Sequence, residues 1–147
     1  MDPIGASRTW EWHGYSTSWT QVGGRRVQSV AGGGHWGGGM MISARDHARF
    51  GLLMARGGRW GKLQILPETW VRDIFSASPA NPGYGYLWWR NAGAARRPAA
   101  SPSSVFAVGA GNNMIWIDPD HDLVTVLRWI DGAAVGGFMA RLMAAVK

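Results

Sequence analysis

The sequence predicts an α+β fold, an antiparallel sheet flanked by helices, and three stretches carry that prediction. Residues 105–130 hold extended runs at 105–108, 113–117 and 123–130, parted by Gly109-Ala110-Gly111-Asn112 and a tight 118–122 connection, the pattern of an antiparallel meander. Residues 44–56 repeat apolar positions at helical spacing. In a last helix, led into by Gly136-Gly137, Phe138 and Leu142, and Met139 and Met143, lie one turn apart.

Taken in order, residues 1–31 are polar and turn-rich, with Trp10, Trp12 and Trp19 set among Gly, Ser and Thr. They read as an extended loop laid across something else, because so long a structureless opening is unusual in a compact domain. Gly23-Gly24 falls inside a loose hairpin over 22–30. Two glycine clusters around His35 and Trp36 then make a loop built to shape a surface. Ser43 is the N-cap of a helix beginning at Ala44, and Asp46 stands three residues on in a variant of the capping box. Ala48, Phe50, Leu52, Leu53, Met54 and Ala55 form its buried stripe. Arg45, Arg49 and Arg56 stay wet, and Gly57-Gly58 ends the helix.

A turn over 57–61 and a short extended piece over 63–66 follow. Pro67 opens a second helix running to about Ser76, with Trp70, Val71, Ile74 and Phe75 inside and Arg72 and Asp73 outside. Residues 84–89, YGYLWW, read as an aromatic strand covered on both faces, and residues 91–104, rich in Ala, Pro, Ser and Arg, as a surface excursion.

At 147 residues and 46% apolar composition the chain fits one globular domain with a core. It has no cysteine, which excludes disulfides and thiolate metal sites. The opening residues show no basic region followed by an apolar run, and no apolar stretch approaches the ~20 residues of a membrane span. The net charge of +6 comes almost wholly from arginines dispersed along the chain, the pattern of a solvated surface more than of a nucleic-acid groove.

Several constellations fail on spacing. Asp118, Asp120 and Asp122 alternate like the start of a calcium loop, but Leu123 and Trp129 stand where its glycine and last acid belong. His13, His35, His47 and His121 lack metal-ligand spacing, and the glycine loop lacks the Gly-Lys-Ser/Thr ending of a phosphate loop. No metal or cofactor is expected.

GGGHWGGGMMISARDHARFGLLM, ILPETW, NPGYGYLWW and AVGAGNNMIWIDPDHDLVTVLRW, in that order and spacing, resemble the C-terminal half of the penicillin-recognising serine hydrolases: class C β-lactamases, DD-peptidases and related esterases and amide hydrolases. The resemblance implies a β-lactamase/transpeptidase-like sheet that is incomplete on its N-terminal side. It also implies acyl hydrolysis of an ester, amide or lactam by the complete protein. The family's nucleophile stands in Ser-x-x-Lys, where the amine takes the hydroxyl proton. Here Lys62 and Lys147 follow Arg59 and Ala144 by three residues, so neither has a serine partner. Tyr-x-Asn is missing as well. The family's Lys-Thr-Gly or His-x-Gly falls in 107–111 without its cation, as Ala107-Val108-Gly109 or Gly109-Ala110-Gly111.

No catalytic residue is therefore assigned. The resemblance gives substrate-binding positions to His35, Trp36 and Gly38 in the loop and to Gly109 and Ala110 on the strand. On the first register the Ala110 amide matches an oxyanion-hole donor, which stabilises developing charge by about 3 kcal/mol in a preorganised site. It implies as partners a small acyl substrate and the N-terminal half of the domain, or else self-association through 123–130 as an open edge. The alternative reading is a non-catalytic binding module with an aromatic pocket or an arginine-rich surface for nucleic acid.

Overall fold

The computed structural model describes residues 1–14, 19–28 and 39–146. Its centre is a four-stranded antiparallel sheet in the order β10-β9-β8-β7, where β7 is Trp89–Arg90, β8 Val105–Gly109, β9 Asn113–Asp118 and β10 Leu123–Leu127. Register is fixed by pairs such as Phe106 with Trp116 and Val126 with Ile115. Neighbouring residues of a strand face opposite sides, and both sides are covered, which is why β9 is apolar from Met114 to Ile117. Met114 and Trp116 join Phe106, Leu127, Val135 and Met139 on one face. Ile115 and Ile117 join Met54, Val71, Trp88 and Val105 on the other. The helices Ala44–Ala55 (α1) and Glu68–Phe75 (α2) cover this second face, and Gly132–Ala145 (α3) covers the first.

The opening residues are more structured than the loop the sequence predicts. A short turn of 3-10 helix, Asp2–Ile4, buries Ile4, and Glu11–Trp12 (β1) pairs with Met40–Met41 (β4). Between them Trp19–Val22 (β2) and Arg25–Gln28 (β3) form a hairpin that begins three residues before the expected one, turning at Gly23-Gly24 with both glycines at positive φ; residues 29–30 lie outside the described residues. What residues 1–7 lie across is α1. Asp46, fully buried in its first turn, accepts hydrogen bonds from the Ser7 amide at 3.1 Å and the Ser7 hydroxyl at 2.5 Å.

Ser43 caps α1, its Oγ accepting from the Asp46 amide at 3.1 Å. Asp46 answers side chain to side chain, accepting from Ser43 Oγ at 2.9 Å, and also takes Arg49 Nη1 at 2.6 Å. Arg49 is thus half-buried and not wet. Of the expected stripe, Leu53 and Met54 are buried and Ala48, Phe50 and Ala55 half-buried. Gly51 faces the sheet so closely that a Cβ there would lie 2.7 Å from Val124 and 2.8 Å from Ile115. Leu52, about 100° further round the helix, is 37% exposed.

Past α1, Arg59–Trp60 (β5) and Leu63–Gln64 (β6) form a two-residue-turn hairpin. Pro67 is the N-cap of α2 and not its first residue. Trp70, expected inside, is 47% exposed and packs its ring 5.7 Å from that of Tyr86.

One expectation fails more deeply, and another is refined. Residues 84–89 are not one strand. Tyr84 pairs back onto Trp89 in an isolated bridge, with Leu87 at φ +65° and Tyr86 and Leu87 exposed at the tip. Local turn geometry overrides the aromatic strand propensity there. Residues 91–104 are ordered by a buried asparagine. Asn91 Nδ2 donates to the carbonyls of Arg97, Ala100 and Ser101 at 3.0, 3.2 and 2.9 Å, and its Oδ1 accepts from the Arg97 amide at 2.8 Å. Composition cannot show which asparagine will close such a loop.

The third strand stops at Leu127, not Ile130, because Arg128 turns inward and Trp129 adopts φ +54°. Residues 123–126 are half-buried, and β10 ends the sheet. The last helix starts at Gly132, four residues before the expected entry, because Asp131 caps it by accepting from the Ala133 amide at 3.0 Å. Gly136 and Gly137 lie within it.

Candidate functional site

Of the five substrate-binding positions, His35, Trp36 and Gly38 lie outside the described residues. Gly109 and Ala110 are exposed together where β8 ends and a 3-10 turn, Ala110–Asn112, leads into β9. This turn is built tightly. Gly111 has φ +70°, and a Cβ there would fall 2.3 Å from the Trp129 ring. Only glycine fits both demands. The Ala110 carbonyl accepts from Asn113 Nδ2 at 2.7 Å, and Asn112 Nδ2 donates to the Ile130 carbonyl at 3.0 Å.

Arg128, which carried no weight in the sequence, joins the parts. Its Nε donates to Asn113 Oδ1 at 2.8 Å and its Nη1 to the Ile42 carbonyl at 2.7 Å. The segment between β4 and α1, which continues the glycine loop, is thereby held beside the 109–113 turn. The signal that could have found Arg128 is its position, a lone cation at the end of an apolar run. Below it, burial and then the Arg128 charge push the His47 imidazole below its ordinary pKa, favouring the neutral form. His47 Nδ1 is buried with no hydrogen-bond partner among the described residues.

A cluster of Ser101, Asp118 and His121 needs separate judgement. Asp118 is fully buried and accepts from Ser101 Oγ at 2.7 Å, the Ser101 amide at 3.1 Å and His121 Nδ1 at 3.0 Å. Burial alone would raise its pKa, but the hydrogen bonds from His121 and Ser101 outweigh it and the net shift is downward. In a nucleophilic triad the imidazole stands between hydroxyl and carboxylate as base. Here the carboxylate stands between the other two, so the serine is not activated. The cluster ties loop to sheet.

Among the described residues, no group of three acidic or histidine side chains could hold a metal ion, and no helix is long and apolar enough to cross a membrane. Concavities of about 330, 270 and 280 Å³ lie elsewhere, the first between the end of α1 and the β5–β6 hairpin, the second beside Ser76 and Tyr86, and the third around Trp89 and Arg96.

The layers, sheet order and helix positions make an α+β fold, and a solved structure of β-lactamase-like fold resembles it. A solved structure from Bacillus anthracis, provisionally designated a 6-aminohexanoate-dimer hydrolase, matches at TM-score 0.52 with 24% identity over 74% of this chain. At that identity the likeness is one of fold alone. This chain spans 29% of the length of that protein. No protein-family model matches the sequence, and no curated protein is similar to it.

Proposed function

We propose that this chain is the C-terminal part of a β-lactamase-related serine hydrolase domain, acting on an ester, amide or lactam in the complete protein and inactive alone. The observation that carries the reading is the exposed end of β8. There Gly109 and Ala110 stand open while Arg128 ties Asn113, at the end of their turn, to the Ile42 carbonyl. The reading takes this end as a pocket wall, assigning to the Ala110 backbone amide the donor for a developing oxyanion and to the glycine loop the floor that the resemblance implies. His35, Trp36 and Gly38 belong to that floor in this reading. The nucleophile and proton-transfer groups come from a preceding N-terminal half, whose strand takes the outer edge of β10. An amide substrate accords with the designation of the Bacillus anthracis protein.

The test is labelling. The purified chain is expected neither to hydrolyse a chromogenic ester or cephalosporin nor to be labelled by a fluorescent penicillin. Adding the N-terminal half of a close relative, with its Ser-x-x-Lys, is expected to restore labelling at that serine. Stoichiometric labelling of a serine within this chain overturns the proposal.

A second reading, a binding module, is favoured by the β2–β3 hairpin. Residues 19–27 are exposed throughout, and the Arg26 guanidinium lies 4.8 Å over the Trp19 ring. Affinity for single-stranded nucleic acid that falls steeply with salt, and is lost on Trp19→Ala, would decide for it.

A further inference from the structure

The sheet has a second surface feature at the end away from Gly109. Arg90 pairs with Val105, the first residue of β8, whereas Gly109 is its last, so the two ends lie about 13 Å apart along the strand. Here Trp89, Arg90, Arg96 and Asn81 surround a concavity of about 280 Å³, and no acidic residue lines it. The Arg96 guanidinium lies 3.7 Å over the Trp89 ring, and Tyr84 meets that ring edge-on at 4.6 Å.

We propose that this concavity is an oxyanion site, taking a small molecule that carries a carboxylate or phosphate group. Four features support it, and none depends on the hydrolase reading. Stacking on Trp89 fixes the plane of Arg96 and leaves its edge donors outward, and among the described residues that guanidinium has no acceptor. Arg90 spends one donor on the Pro82 carbonyl at 2.7 Å, which anchors it and leaves the others free. Asn81 Oδ1 accepts from the Gly83 amide at 2.9 Å, so its Nδ2 is also free to donate. The backbone is held in advance, since buried Asn91 ties the loop and the adjacent turn keeps Gly93 at φ +67° and Ala94 at φ +56°. Among the described residues, no acidic side chain lines the concavity or pairs with Arg90 or Arg96. Partial burial and the neighbouring Arg97 charge both push Arg96 below the usual guanidinium pKa, a repulsion that a bound anion would relieve.

Calorimetric titration of the full chain in low-chloride buffer, with inorganic phosphate in one arm and succinate in the other, tests the site and tells the two head groups apart. One-to-one binding of at least one anion is expected. Arg96→Ala should weaken it about tenfold, the loss of a charge-assisted hydrogen bond, and Arg96→Lys, which keeps charge without the stacked fork, should also weaken it. Arg45→Ala, on the exposed side of α1, should leave affinity within about twofold. Circular dichroism checks that each variant is folded. Binding of neither anion below about 10 mM, equal affinity in Arg96→Ala, or an equal loss in Arg45→Ala overturns the proposal.

Discussion

Replacing Asn91 by alanine should unfold the 91–104 loop from its sheet. From a fully buried position the amide group makes four polar contacts, its two N–H hydrogens shared among three carbonyls and its oxygen accepting once. Each is worth about 1 kcal/mol net when both partners can rehydrate, and more where a buried partner is stranded. The Arg97 and Ser101 groups are part-exposed and can find water, while the Ala100 carbonyl is buried and cannot. The cost is therefore about 3 to 4 kcal/mol. With a urea slope of about 2 kcal/mol/M, tryptophan fluorescence should show the unfolding midpoint falling by about 1.5 to 2 M. Asn113→Ala removes a comparable set of contacts, to Ala110, Arg128 and Trp129, at a half-exposed site. It should cost about half as much. A loss under about 1 kcal/mol for Asn91→Ala, or equal losses for the two, would refute the argument that one buried amide organises this loop.

Ser43→Ala should cost about 1 kcal/mol by removing the α1 cap, read from the same midpoint. Ser101→Ala, which composition alone would rate as harmless, should cost about 2 kcal/mol because it strips a hydrogen bond from the buried Asp118 carboxylate. Gly51→Ala gains helix propensity but drives a Cβ into Val124 and Ile115, and should destabilise by about 1 to 2 kcal/mol; a stabilised variant would show that α1 is free to move off the sheet. Stability should also fall on acidification. Hydrogen bonds from Ser7 hold Asp46 well below the carboxylate range against the opposing effect of burial, and Asp118 is likewise lowered. Folded carboxyls that bind protons less readily than unfolded ones contribute stability above the unfolded value of about 3.9, lost as pH falls through the lowered folded values. His47, also lowered, contributes above its unfolded value of about 6.5, and that contribution goes first as pH falls from there. Urea midpoints across pH 7.5 to 3 should therefore drop in two stages, His47→Gln flattening the first and Asp46→Asn the second.

The sequence by itself determined what is written in local pattern. Ser43 before an apolar-periodic run marked the start of α1, short apolar runs split by turns marked the meander, and Gly23-Gly24 marked the turn of the hairpin, because capping, strand propensity and positive φ are each satisfied within a few residues. The absence of Ser-x-x-Lys was equally legible. Tertiary structure alone decided which groups answer each other across long separations. Ser7 meets Asp46, Arg128 reaches the Ile42 carbonyl, and Ser101 meets Asp118, and no spacing rule foretells such pairs. It also decided that Gly51 meets the sheet closely and that Leu52 alone of the expected apolar stripe stays outside. Residues 84–89 fold back because a turn with Leu87 at positive φ lets Trp88 enter the core and Trp89 pair with Phe106, whereas propensity summed along the segment reads only a strand. Burial is a property of the whole assembly. A residue's own neighbours in sequence constrain it weakly, and the packing of the sheet against its helices settles it.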